Sequence, residues 1–194
     1  MTRIDPGGTI GILGGGQLGR MIAMAAAQLG YRCHVFCPDT RSPAFHVAHE
    51  VTIADFTDTE AVKAFAASVD VATYEFENVP AEAAKLVQAE THLRPGVRAL
   101  ELTQDRLVEK DFLNESGVKT APYKAFTTSE EFEEAFAVIG RPAVAKTRRF
   151  GYDGKGQMMV KSRRDAAAVL EVTKGTPAIL EGFVSFDREI SVIV

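Results

Sequence analysis

Residues Lys146 to Gln157, KTRRFGYDGKGQ, carry the strongest chemical signal in the chain. Lys146 ends the apolar run Pro142-Ala143-Val144-Ala145. Arg148, Arg149 and Lys155 then surround Gly151, Gly154 and Gly156. Three glycines within six residues let a backbone take positive φ and lie flat against a ligand. Four cations within ten residues repel one another unless an anion sits among them. A cationic, glycine-rich flap that follows a strand has the makings of a polyphosphate clamp.

Other motifs offer weaker chemistry. Gly14-Gly15-Gly16-Gln17-Leu18-Gly19 fits G-x-G-x-x-G, and Asp39 follows about twenty residues later. Between a strand and a helix, that pattern favours a phosphate on the backbone amides, or serves only tight strand-to-helix packing. Glu75 and Glu77 follow an apolar run directly. Period two would put both carboxylates on one side of an extended chain, at the strand end where open α/β sheets bind ligands. The alternative is a solvated edge pair. Arg106 and Lys110 share a helix face and repel unless they serve an anion or pair with Glu109 or Glu101; a solvated face is the simpler expectation. Glu181 ends an apolar run before Gly182-Phe183-Val184, where an acid can accept from a ribose or amino group and the apolar residues can line an aromatic base. His46-x-x-His49 has no acid or cysteine cluster at fixed spacing beside it and reads as structural.

These residues need a framework. The first half alternates strand patterns (9–13, 32–37, 51–53, 71–74) with helix patterns (17–29, 58–68, 80–88), which predicts a parallel sheet covered on both faces. The pattern changes near Pro95. Helices are predicted over 97–102, 105–115 and 130–139, the last capped by Ser129. Strands are predicted over 123–126, 143–146, 158–160, 178–181 and 189–194. A further helix is predicted over 163–173, capped by Ser162. The final strand pattern stops without a turn, as expected of an unfinished sheet.

Composition sets outer bounds. The chain has 194 residues, 46% apolar and 25% charged, with a net charge of −4. That is ordinary globular material and argues against broad nucleic-acid binding. Two cysteines, both in the apolar run 33–37, imply no disulfide framework. No apolar run is long enough to span a membrane and no signal-peptide pattern is present, so a cytoplasmic protein is expected.

Taken together, GGGQLGRM (14–21), TYEFENV (73–79), QDR (104–106), KTRRFGYDGKGQ (146–157) and EGFVSFDRE (181–189) resemble the ATP-grasp superfamily, and within it the 5-(carboxyamino)imidazole ribonucleotide synthases. The resemblance runs from about residue 9 to the end. It implies a Rossmann-like preATP-grasp domain over 1–103. Over 104–194 it implies the small lid domain and the start of the central ATP-grasp sheet. The implied reaction joins ATP, bicarbonate and 5-aminoimidazole ribonucleotide through carboxyphosphate. By motif match, Arg106, Lys146, Gly151, Tyr152, Asp153, Gly154, Lys155, Gly156 and Gln157 would meet the ATP phosphates. Glu181, Gly182, Phe183, Val184 and Glu189 would meet adenine and ribose. Gln17, Leu18 and Glu75 would meet the ribonucleotide, and Tyr152 and Asp153 the bicarbonate-derived group. The resemblance also implies a homodimer, small-molecule substrates only, and Mg²⁺ ligands beyond residue 194. These residues alone are therefore expected to be inactive or nearly so.

Three other readings stay open on sequence. A formate-dependent glycinamide ribonucleotide transformylase shares the layout, although Phe150-Gly151-Tyr152-Asp153 fits the carboxylating family better. A dinucleotide-dependent oxidoreductase would use the first glycine motif and Asp39, leaving the clamp unexplained. A non-catalytic nucleotide-binding fragment is the third.

Overall fold

The computed structural model describes residues 3–151 and 155–192. The chain divides into two compact units, Met1–Thr103 and Gln104–Val194.

The first unit is a five-stranded sheet in the order β3-β2-β1-β4-β5, parallel throughout. Its strands are β1 (Thr9–Leu13), β2 (Arg32–Phe36), β3 (Glu50–Thr52), β4 (Val71–Tyr74) and β5 (His92–Leu93). The helices are α1 (Gln17–Gln28), α2 (Thr59–Ala67), α3 (Ala81–Glu90) and α4 (Val97–Thr103). Alternation along the strands sorts the side chains between two cores. Leu13, Phe36 and Leu93 pack with Phe65 of α2, Val87 of α3 and Leu100 of α4, whereas Ile12, Cys33 and Val35 pack with Ala23 and Ala26 of α1. Full burial of a side chain such as Phe65 contributes roughly 1.5–3 kcal/mol. The sheet is thus covered on both faces, as the alternating pattern predicts. His34 is buried between Ser68 and Thr52. Ser68 Oγ donates to Phe65 O at 2.7 Å, so the 2.8 Å contact from His34 Nδ1 is a donation to Ser68, and Nε2 accepts from Thr52 Oγ1 at 2.8 Å.

The second unit holds an antiparallel sheet in the order β6-β9-β7-β8. Helix α5 (Arg106–Glu115) precedes β6 (Tyr123–Phe126), α6 (Ser129–Ile139), β7 (Ala143–Thr147), β8 (Gln157–Val160), α7 (Ala166–Thr173) and β9 (Ala178–Gly182). Phe126, Ala143, Ala145, Val160, Ala178 and Leu180 pack against Phe132 and Ala135 of α6 and Val169 of α7. Register puts Tyr123, Val144, Lys146, Gln157, Ile179 and Glu181 on the opposite face.

Three local expectations change. Thr128, not Ser129, caps α6: its hydroxyl accepts from Glu131 N, and the Glu131 carboxylate accepts from Thr128 N. A glutamate three residues on selects the hydroxyl that starts the helix. The segment after Ser162 begins as a 3-10 turn, Arg163–Asp165, because Asp165 reaches back to the amides of Lys161 and Ser162. Residues 189–192 form no strand, since none of the described residues gives them a ladder partner, and Ile190 and Val192 stay exposed. No helix among the described residues is long and apolar enough to cross a membrane.

Candidate active site

In the first unit the order of strands reverses between β1 and β4, so the turns after these two strands meet. Gly14 sits at φ +103°, where a side chain is strained, and a Cβ there would lie 2.5 Å from Glu75 Cγ. Glu75 Oε1 accepts from Gly16 N at 3.0 Å and Oε2 from Gly19 N at 3.1 Å. A carboxylate of the protein therefore occupies two amides at the start of α1, where the sequence pattern suggested a phosphate. This counts against the dinucleotide reading, because a pyrophosphate would compete with a built-in anion. Asp39 caps its own turn by accepting from Arg41 N at 2.9 Å. Glu77 does not join Glu75. The chain leaves β4 at Tyr74 and bends, leaving Glu77 exposed beside Asn78 while Glu75 turns inward. Gln17 and Leu18 open α1 with exposed side chains.

In the second unit Lys146 of β7 lies opposite Ile179, and Glu181 of β9 lies opposite Val144, so the two are diagonal neighbours on one face. Lys146 Nζ is 2.9 Å from Glu181 Oε2. Lys110 of α5 reaches the same oxygen at 3.5 Å. Sequence spacing leaves Lys110 to an anion, to Glu109 or Glu101, or to solvent. Its partner comes instead from a strand 71 positions later, and Glu101 pairs with Lys85 at 3.1 Å.

The flap starts from β7 and is anchored on α5. Arg148 N donates to Pro177 O, and Arg148 O accepts from Arg106 N, both at 3.0 Å. The Arg148 guanidinium grips Asp105 with three contacts of 2.6–3.0 Å. Asp105 Oδ1 also accepts from Leu107 N, capping α5. Burial alone would raise the Asp105 carboxyl, but Arg148 and the Leu107 amide outweigh it and hold the group below the usual carboxylate range. Arg149 donates to Gln104 Oε1 at 3.0 Å, and Arg106 to Gly151 O at 3.1 Å. Gly156, at φ +70°, accepts from Thr147 N at 2.8 Å and lies so close that a Cβ would meet Thr147 Oγ1 at 2.6 Å. Anions do sit among these cations, and two of them are the protein's own: Lys146 holds Glu181 and Arg148 holds Asp105. Tyr152, Asp153 and Gly154 lie outside the described residues.

Gln157 pairs with Lys146 across β7 and β8, while Lys155 is exposed. Gly182 N donates to Pro122 O and Phe183 N to Pro142 O, which carries the chain past β9 with Phe183 and Val184 exposed. Glu189 lies beyond β9, in a segment with no strand among the described residues. The structure therefore gathers Lys146, Gln157 and Glu181 on one face and ties Arg106 to Gly151. Among the described residues, no three His, Cys, Asp or Glu form a group that could hold a metal ion.

A ribonucleotide synthetase preATP-grasp domain matches residues 8–104, half of the chain, and an ATP-grasp domain matches residues 111–194. This chain belongs to the ribonucleotide synthetase preATP-grasp family. Its second half is ATP-grasp material. Among relatives, the chain is 47% identical to an N5-carboxyaminoimidazole ribonucleotide synthase of Brucella melitensis, covering 99% of this chain and 54% of the relative. It superposes on an ADP complex of an N5-carboxyaminoimidazole ribonucleotide synthetase with TM-score 0.90 at 39% identity, over 96% of this chain and 50% of the other. An N5-carboxyaminoimidazole synthase from Aspergillus clavatus, solved with ADP and 5-aminoimidazole ribonucleotide, gives TM-score 0.83 at 29% identity over 93% of this chain and 48% of the other. This preATP-grasp chain spans about half the length of the curated relatives it matches. The Rossmann-like sheet followed by ATP-grasp strands is therefore the family fold.

Proposed function

We propose that this chain forms the nucleotide-gripping part of an enzyme that carboxylates 5-aminoimidazole ribonucleotide at the expense of ATP. The observation that carries the proposal is Lys146, held on Glu181 at the base of a glycine-rich flap, in a chain whose similar structures include ADP complexes.

In this reading Lys146 and Arg106 contact the triphosphate, and the flap from Gly151 through Gly154, Lys155 and Gly156 to Gln157 closes over it. Glu181, Gly182, Phe183 and Val184 hold adenine, and Glu189 the ribose. Gln17, Leu18 and Glu75 meet the ribonucleotide. Bicarbonate oxygen attacks the γ-phosphorus and ADP leaves, giving carboxyphosphate. The substrate amine then attacks its carbon, phosphate leaves, and a proton is lost. The residues act by positioning and by neutralising charge, without a covalent enzyme intermediate. Tyr152 and Asp153 are assigned to the bicarbonate-derived group. Mg²⁺ would neutralise phosphate charge in such a transfer; no cluster of ligands for it lies among the described residues. Homodimerisation belongs to the same proposal.

The test is phosphate release from ATP by the full-length protein with 5-aminoimidazole ribonucleotide. Release should require bicarbonate. A response to formate and not to bicarbonate would favour the transformylase instead.

A further inference from the structure

Glu181 carries two lysines on a single oxygen. Lys146 Nζ lies 2.9 Å and Lys110 Nζ 3.5 Å from Oε2. The Glu181 side chain is only 9% exposed and that of Lys110 14%, whereas Lys146, at 25%, is the most open of the three. Lys110 is held from a second side as well, with Nζ 5.3 Å from the centre of the Tyr123 ring. Tyr123 is the cross-strand neighbour of Glu181 on β6. A ring face at that distance favours a resident cation.

This arrangement matters if Lys146 has to move. A lysine that turns from a carboxylate to a phosphate strands the carboxylate, and an unpaired charge in a shielded site is strongly unfavourable. Two lysines on one oxygen remove that obstacle, since either can leave while the other stays. The more open one is on the strand that leads into the flap, and the more enclosed one is on a helix and against a ring.

We propose that Lys110 is a positioning residue that keeps Glu181 paired while Lys146 turns to a nucleotide phosphate. The proposal rests on the assignment of Lys146 to phosphate. It differs from a direct phosphate role for Lys110, because its effect runs wholly through the Glu181 charge.

A double-mutant cycle on ATP affinity, measured by calorimetry in the full-length protein, separates these roles. Lys110→Met should weaken ATP binding by about tenfold or more, the scale of one charge-assisted contact. In the Glu181→Gln background the same substitution should change affinity less than about threefold, because no carboxylate is left to strand. Lys110→Arg should restore most of the loss. Should Lys110→Met fail to fold, Lys110→Gln in the two backgrounds gives the same comparison. Equal losses in both backgrounds, or no loss in either, would overturn the proposal. If Lys146→Met weakens ATP binding while Lys110→Met does not, only the role of Lys110 fails. If Lys146→Met changes nothing, the phosphate assignment and this proposal fall together.

Discussion

Lys146 and Glu181 face each other diagonally across β7 and β9, with Nζ and Oε2 2.9 Å apart. The pair sits where strand ends and flap begins, so the cation is aimed by the sheet and not by a loop. A nucleotide that takes Lys146 takes it from a protein carboxylate.

The first prediction concerns that exchange. Lys146→Ala in the full-length protein should raise the KM for ATP, or lower kcat, by tens-fold or more, since a charge-assisted phosphate contact contributes roughly 1.5–3 kcal/mol. Steady-state phosphate release measures it. Unchanged kinetics would make Lys146 a purely structural partner of Glu181.

Asp105→Asn should loosen the flap from its root. It removes the carboxylate that Arg148 grips and weakens the cap of α5. A cost of roughly 1–3 kcal/mol in urea unfolding is expected. The pH dependence has a definite sign. The folded carboxyl is held below its unfolded value near 3.9, so its stabilisation is present above that value and is lost as pH falls through the lower, folded one. Asp105→Asn should flatten this acid limb of stability against pH. An unaltered limb would show that other groups dominate it.

At Gly156 two separate obstacles meet any side chain: a positive φ and the Thr147 hydroxyl 2.6 Å from the new Cβ. Gly156→Ala should therefore destabilise by roughly 1–3 kcal/mol. Adding Thr147→Ala should recover part of the loss but not all, because the backbone strain remains. Full recovery in thermal melts would show that only the clash matters.

His34 predicts a second pH effect. Burial lowers its folded value, and Glu50 at 3.7 Å offsets this only in part. As pH falls through about 6.5 the unfolded chain takes up a proton before the folded one, so stability drops over that range and is level above it. His34→Gln should lose this slope below about pH 6.5. Retention of the full slope would assign it to another group.

Much of the framework was legible in the chain because alternation and helical spacing are local signals. Strands β1, β2 and β4 fall where their apolar runs lie, and the α/β class follows from their order. The two-residue β5, His92–Leu93, is too short to show any periodicity. At residues 189–192 the composition says strand, yet pairing needs a neighbour that the described residues do not supply. The site was less legible, for a related reason. The type and spacing of the clamp cations pointed to anions, but nothing local says that Arg148 is taken by Asp105, 43 positions away, or Lys110 by Glu181. Glu75 and Glu77 looked alike until the bend after Tyr74 separated them. Long-range pairing decides these cases, and only the folded chain displays it.

Glu75 gives the first helix a resident counter-ion. A helix start that is already neutralised has little to gain from dissolved phosphate or sulfate, so the melting temperature of the isolated residues 1–103 should barely respond to such salts beyond their general effect on solvent. Replacing Glu75 with alanine would hand that vacancy to the buffer and make the same fragment anion-dependent.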